Sequence, residues 1–165
     1  MRTLKPTLAV TLLAALALAA SAGAGSGFSG NVCRLLTAKQ VTAVQGVSAK
    51  CTNAKPMAGP GSKIYTGNWA GKTPSSPRVQ VTVSLYTDPG ALQLAKRNLD
   101  QGLPGTPKKV ARIGSAAYEA TGGFSTGVRF ADGKYVVLVS VNGIGKPSWS
   151  NASVEKLARA IAARL

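Results

Sequence analysis

The sequence predicts an α+β fold: a mostly antiparallel sheet of about five to six strands, packed by three helices and held by one disulfide. Three observations lead there. Arg78 to Thr87, "RVQVTVSLYT", alternates strictly, with Val79, Val81, Val83 and Leu85 on one side and Gln80, Thr82, Ser84 and Tyr86 on the other, the pattern of a half-buried strand. Asp132-Gly133 sits between two strand-like runs and signals a type I′ hairpin. Helical patterns occur three times but do not alternate regularly with strands, which argues against a doubly wound dinucleotide fold.

The chain opens on "MRTLKPTLAVTLLAALALAASAGA", where Arg2 and Lys5 precede an apolar run and small residues follow, the three parts of a secretory signal peptide. The uncharged run from Thr7 to Ala20 is shorter than the ~20 residues a spanning helix needs. Cleavage is therefore expected at Ala20-Ser21-Ala22, with Ala22-Gly23-Ala24 second, and residues 1–22 are assigned as the signal peptide. The Gly-rich residues 23–32 read as a flexible lead, and 33–165 as a single domain, secreted or displayed at the cell surface. No cysteine directly follows the cleavage box, which disfavours a lipid anchor.

Within the domain, Thr37 and Gln40 form a capping box, Leu36 can staple onto Val41, and Gly46 supplies the stop of a two-turn helix. Such a helix is marginal alone. Cys33 and Cys51 bracket it, and an exported chain with two cysteines permits one internal pairing, so a Cys33–Cys51 bridge is expected. Two free thiols or a bridge to another chain are the alternatives. "NAKPMAGPGS" and "GKTPSSP" read as loops around a short strand, "KIYTGNWA". After the Arg78 strand, Asp88 caps and Pro89 opens a second helix lined by Ala91, Leu92, Ala95 and Leu99, ending near Gln101 before Gly102 and Pro104. An antiparallel meander follows, "KKVARI", "SAAYEAT", "FSTGVRFA" and "KYVVLVSVN", the last apolar on both alternating sides and so expected to be central and covered twice. Val154, Leu157, Ala158, Ile161 and Leu165 then stripe a C-terminal helix capped near Asn151, with Lys156 and Arg159 opposite.

The 165 residues carry 20 Lys and Arg against five Asp and Glu, a formal net charge of +15, and losing Arg2 and Lys5 with the leader would leave most of that surplus. Such a field draws polyanions. There is no histidine, so two thiolates cannot complete a structural zinc site, and no metal or cofactor is expected. Lys96-Arg97 and Lys108-Lys109 are the only basic doublets and no aromatic RNA signature accompanies them, so nonspecific, salt-sensitive adhesion fits better than specific nucleic-acid recognition.

Catalytic motifs fare poorly. "GPGSK" lacks Gly before Lys63 and Ser or Thr after it, and "NGIGKPS" has Pro147 where the hydroxyl belongs, so neither is a phosphate loop. Ser153 and Lys156 match S-x-x-K, without the companion elements of the serine acyl-enzymes. Asn151-Ala152-Ser153 is a glycosylation sequon, of little weight in a chain with a bacterial-type leader. Among the acids, Asp88 reads as a cap, Asp132 as a turn residue, and Asp100 and Glu155 as solvated helix positions; only Glu119 lacks a structural role, and a glycosidase normally needs two carboxylates. The chain is therefore expected not to be an enzyme.

"CRLLTAKQVTAVQG…C", the "VQVTVSLYTD" strand, "VARIGSAAYEA" and the terminal hairpin and helix together resemble a group of small exported proteins and lipoproteins of actinobacteria classed as a domain of unknown function. The resemblance covers nearly the whole domain. It implies an envelope-associated α+β domain similar to the Mog1/PsbP-like sandwich, and carries no catalytic residues. The chain departs from that pattern in lacking the lipobox cysteine and in placing Ser115 where an acidic residue is more usual.

The expectation is thus an exported, noncatalytic binding module of the bacterial cell envelope that contacts an anionic polymer, a lipid-like ligand or a protein partner. Its pocket is sought on the polar side of the Arg78 strand, where Gln80, Thr82 and Tyr86 meet Arg129 from a neighbouring strand. The alternative is a small secreted hydrolase using Ser153 and Lys156, or Glu119.

Overall fold

A computed structural model of the chain describes residues 27–144 and 149–165. The expected signal peptide, residues 23–26 and part of "NGIGKPS" lie outside the described residues.

The fold is α+β. A 3₁₀ turn, Val32–Arg34, leads into α1 (Ala38–Gln45), followed by strands β1 (Lys50–Asn53), β2 (Met57–Gly59), β3 (Ser62–Ala70) and β4 (Arg78–Tyr86). Next come α2 (Pro89–Arg97), β5 (Lys108–Val110), β6 (Ala116–Gly122), β7 (Ser125–Asp132), β8 (Tyr135–Asn142) and α3 (Asn151–Ala162). All eight strands form one antiparallel sheet in the order β1-β3-β4-β8-β7-β6-β5, with β2 beside β1 on the outer edge of β3.

The strand number exceeds the expected five to six because β1 and β2 were hidden. Both are short edge pieces with mostly exposed residues, so no face is apolar enough to leave a periodic signal, and β2 falls within "NAKPMAGPGS", where Pro and Gly mark a loop. Their strand character comes from pairing to β3: Cys51 opposite Trp69, Met57 opposite Ile64. At the other edge, β5 keeps only three residues of "KKVARI".

The strand alternation builds two different faces. Val79, Val81 and Val83 align across the sheet with Val141, Val139 and Val137, and these with Thr126, Val128 and Phe130. The aliphatic and aromatic members of this array are fully buried in the main core, which also takes in Val41 and Val44 of α1 and Val154, Leu157, Ala158 and Ile161 of α3. A smaller cluster lies on the opposite face, where Ala95 of α2 and Leu99 pack on Ala131 and Val136. Strand β8 is accordingly central and nearly buried throughout.

The helix ends follow local chemistry. The Thr37–Gln40 capping box forms, with Gly46 as left-handed C-cap. Asp88 caps α2 through its carboxylate, 2.6 Å from the Ala91 N–H. That helix ends at Arg97 rather than near Gln101, and Leu99 is buried from the turn beyond it. Ser150, not Asn151, caps α3, because its hydroxyl and that of Ser153 form the reciprocal box. The β7–β8 hairpin forms as expected, but Asp132 pairs with Tyr135, which leaves Gly133 and Lys134 as its two-residue loop. Only Gly133 has positive φ (53°), the II′ pattern instead of I′.

The bridge Cys33–Cys51 is formed, with Cα atoms 5.8 Å apart. It ties the 3₁₀ turn to edge strand β1, and Asn53 reinforces it by accepting the Cys33 N–H and donating to Asn31. Residues 27–32, the described part of the stretch read as a lead, precede it. Phe28 contacts Tyr65 and Tyr135 edge-on, with centroids 5.1 and 6.0 Å away, and Val32 is wholly buried. These two apolar side chains place residues 27–32 against the sheet.

Candidate functional site: the open face of the sheet

The face opposite α1 and α3 is only partly covered. Helix α2 packs on β4 and β8 and the chain after it lies over β7 and β6, where Gly127 permits its close approach: a Cβ there would meet Leu103 Cδ2 at 3.0 Å and Pro104 Cδ at 3.3 Å. Beyond that cover, the side chains follow in rows across the strands. One row reads Thr66, Thr82, Leu138, Arg129, Tyr118 and Lys109. The next holds Thr52, Asn68, Gln80 and Ser140, and the one after it Lys50, Arg78, Asn142 and Ser125. The result is a platform of hydroxyl and amide groups with two exposed cations, Lys50 and Arg78, on its outer side.

Where the platform meets the α2 cover there is a hollow of about 200 Å³, lined by Thr82, Ser84, Arg129, Val136 and Leu138. Of the four residues expected to form a site, the structure brings Thr82 and Arg129 into this hollow. Gln80 stands exposed one row away, and Tyr86 is half-buried against the small cluster under α2. Arg129 has a structural task as well. Its Nη1 donates to the carbonyls of Gln101, at 2.8 Å, and Asn98, at 3.4 Å, clasping the turn that leaves α2, in which Asn98 O also accepts the Gln101 N–H. Arg159 does the same for the carbonyls of Ala111 and Arg112, and Arg164 for that of Leu35.

Sequence reasoning missed Ser84, Val136 and Leu138. Ser84 was readable from the β4 alternation. The β8 residues were not, since a strand apolar on both sides does not say which apolar residue borders an opening. Gln45 was missed too: it is 2% exposed, and its Nε2 donates to Trp69 O at 2.9 Å and Pro77 O at 2.8 Å, locking α1 to the β3–β4 connection.

The residues of the hydrolase alternative lie on the other side of the sheet. A groove of about 340 Å³ between α1 and α3 is lined by Gln40, Ala43, Val44, Ser153, Lys156 and Leu157. The Ser153 hydroxyl donates to Ser150 O at 2.6 Å and accepts the Ser150 N–H at 3.0 Å, so it is committed to the helix cap. Glu119 also points to the helix-covered side, opposite Lys108 on β5, with a buried Oε2 that has no hydrogen-bond partner among the described residues. It does not line the groove.

Among the described residues, no group of three or more His, Cys, Asp or Glu is placed to hold a metal, and no helix is long and apolar enough to cross a membrane. Comparison of the chain with models of protein families, with curated proteins and with solved structures gives no match.

Proposed function

We propose that the protein is an exported, noncatalytic binding module of the bacterial cell envelope that lays an anionic polymer across the open face of its sheet. The observation that carries this reading is the platform itself: Thr52, Thr66, Asn68, Gln80 and Thr82 offer donors in register, with Lys50 and Arg78 exposed along one side. Flat arrays of hydroxyl and amide groups suit a repeating, hydrated chain better than a small molecule, which needs a cleft that encloses most of its surface. The basic surplus, a formal +15 in the full chain and mostly kept without Arg2 and Lys5, supplies attraction over distance. A wall polymer bearing phosphates or carboxylates fits both features. The resemblance to exported actinobacterial proteins and the leader-like first 22 residues agree with an extracellular site of action.

The hollow beside Arg129 favours a second occupant. Its Val136 and Leu138 walls and Thr82 and Ser84 rim suit a small, lipid-like group carried by such a polymer. Hydrolysis by Ser153 and Lys156 is the competing function.

Binding of a soluble polyphosphate, read by calorimetry over a salt series, tests the proposal. Affinity is expected to fall steeply as salt shortens the screening length from about 10 Å at 0.1 M to about 3 Å at 1 M, and Lys50→Gln with Arg78→Gln is expected to remove most of it at low salt. Affinity undiminished at high salt overturns the electrostatic reading. A serine-directed activity probe whose labelling disappears in Ser153→Ala overturns the noncatalytic one.

A further inference from the structure

Three of the five exposed large hydrophobic side chains among the described residues, Val47, Phe124 and Ile144, gather at one end of the sheet. This rim consists of the β3–β4 and β6–β7 connections with Gly143 and Ile144 after β8: Ala70 pairs with Arg78, Arg78 with Asn142, Asn142 with Ser125, and Ser125 with Gly122. Phe124, 60% exposed, occupies the tip of the β6–β7 hairpin, and Ile144, 76% exposed, follows β8. The two loops are joined by a hydrogen bond from the Gly143 N–H to Phe124 O at 3.0 Å, so their apolar side chains project from one joined structure. Val47 abuts the β3–β4 connection, since a Cβ on Gly71 would lie 3.1 Å from its Cγ2. Lys50, Lys72 and Arg78 are exposed along the same rim. None of the five acidic residues is in its loops: Asp88 and Asp132 lie at the opposite end of the sheet, Asp100 follows α2, Glu119 is within β6, and Glu155 is bridged to Arg159 on α3.

We infer that this rim is a docking edge for an anionic phospholipid bilayer, with Phe124 and Ile144 entering the interfacial zone and Lys50, Lys72 and Arg78 at the level of the headgroup phosphates. Charge complementarity selects this occupant, because apolar tips among cations with no carboxylate nearby match a surface that is apolar just beneath a negative layer. With neighbouring strands ~4.8 Å apart, the rim from β1 to β7 spans roughly 20 Å. Such a width allows several cations and both apolar tips to engage one leaflet together. The edge shares Lys50 and Arg78 with the margin of the open face, so a polymer on the platform and a bilayer at the rim would compete for these two cations, whereas Phe124, Ile144 and Lys72 belong to the rim alone.

The test places an environment-sensitive fluorophore on the full chain at Ile144→Cys, and in a second preparation at Leu94→Cys, an exposed apolar position on α2. Vesicles of phosphatidylglycerol and phosphatidylcholine, some carrying nitroxide-labelled acyl chains, are then titrated in. The label at 144 is expected to shift to the blue and to be quenched, while the label at 94 stays solvent-like. The readout is tied to position, so binding through the leader alone does not mimic the result. In Lys72→Gln with Arg78→Gln, the lipid concentration for half-maximal shift is expected to rise about fivefold per cation removed. Phosphatidylcholine alone is expected to give little shift. A label at 144 that stays in water with anionic vesicles overturns the inference, as does an equal response at 94 or indifference to the two cations. Polyphosphate binding by Phe124→Ser with Ile144→Ser is expected to be unchanged, which keeps failure at the rim distinct from failure of the platform.

Discussion

Along β4, Val79, Val81 and Val83 are fully buried beneath the α1 and α3 layer, while Gln80, Thr82 and Ser84, each a single residue away, face outward. The covered face is nearly continuous valine across β4, β8 and β7, with Phe130 among them. The open face is hydroxyls and amides with one patch of cover, a short helix held on by Ala95, Leu99 and the guanidinium of Arg129. One face supplies the main core, and the other meets solvent over much of its area. Where burial does not dictate the residue, strand preference and cross-strand pairing do: Thr66 and Thr82 lie opposite each other with hydroxyls 3.5 Å apart, a pair that suits a solvated sheet face.

The sharpest way to break this contrast is on the covered side. Phe130→Ala is expected to cost about 3 to 5 kcal/mol, because it removes a fully buried aromatic where close-packed strands cannot collapse to fill the space. A denaturant midpoint near that of the wild type would show that the valine face is not the core. Replacing Cys33 and Cys51 together by Ser is expected to cost about 3 kcal/mol, from the entropy of a loop with sequence separation 18. Hydrogen exchange should then accelerate first in α1 and β1, the elements the bridge ties together.

Arg129 sharpens the comparison, since it lines the open hollow yet clasps α2. Arg129→Ala is expected to lose roughly 1 to 2 kcal/mol, since the shorter of its two charge-assisted bonds is exposed and the part-buried one is long, with faster exchange at the end of α2. A neutral effect would make Arg129 a binding residue alone. The smallest effect belongs to Gln80→Ala with Thr82→Ala, expected to cost up to about 1 kcal/mol in stability, since Gln80 is exposed and Thr82 is half-buried opposite Thr66, but with weakened polyphosphate binding in calorimetry. A large stability loss there would mean that the open face is structural after all.

Legibility followed the strength of the local signal. The capping box at Thr37, the Asp88-Pro89 helix start and the β4 alternation could be read because backbone chemistry fixes them within a few residues. The hairpin after Asp132 was foreseen but not its turn type, because sheet register, not the Asp-Gly pair, set which two residues form the loop. β1 and β2 were invisible because each is a strand only by virtue of β3. For the site, Thr82 and Gln80 came from alternation, and Arg129 was found without its clasp, since the carbonyls of Asn98 and Gln101 reach it through tertiary packing.

By itself the sequence determined the charge surplus, the two-faced strand, the helix starts and a cysteine pair with one internal way to bond, all properties of composition or of residues near one another in the chain. Tertiary structure alone decided that Lys50, Arg78, Phe124 and Ile144 share one end of a sheet, and that Ser84 meets Val136 and Leu138 around a hollow. The physical reason is register. Strand order and pairing bring distant residues into rows, and pairing rests on which faces the whole chain can bury at once.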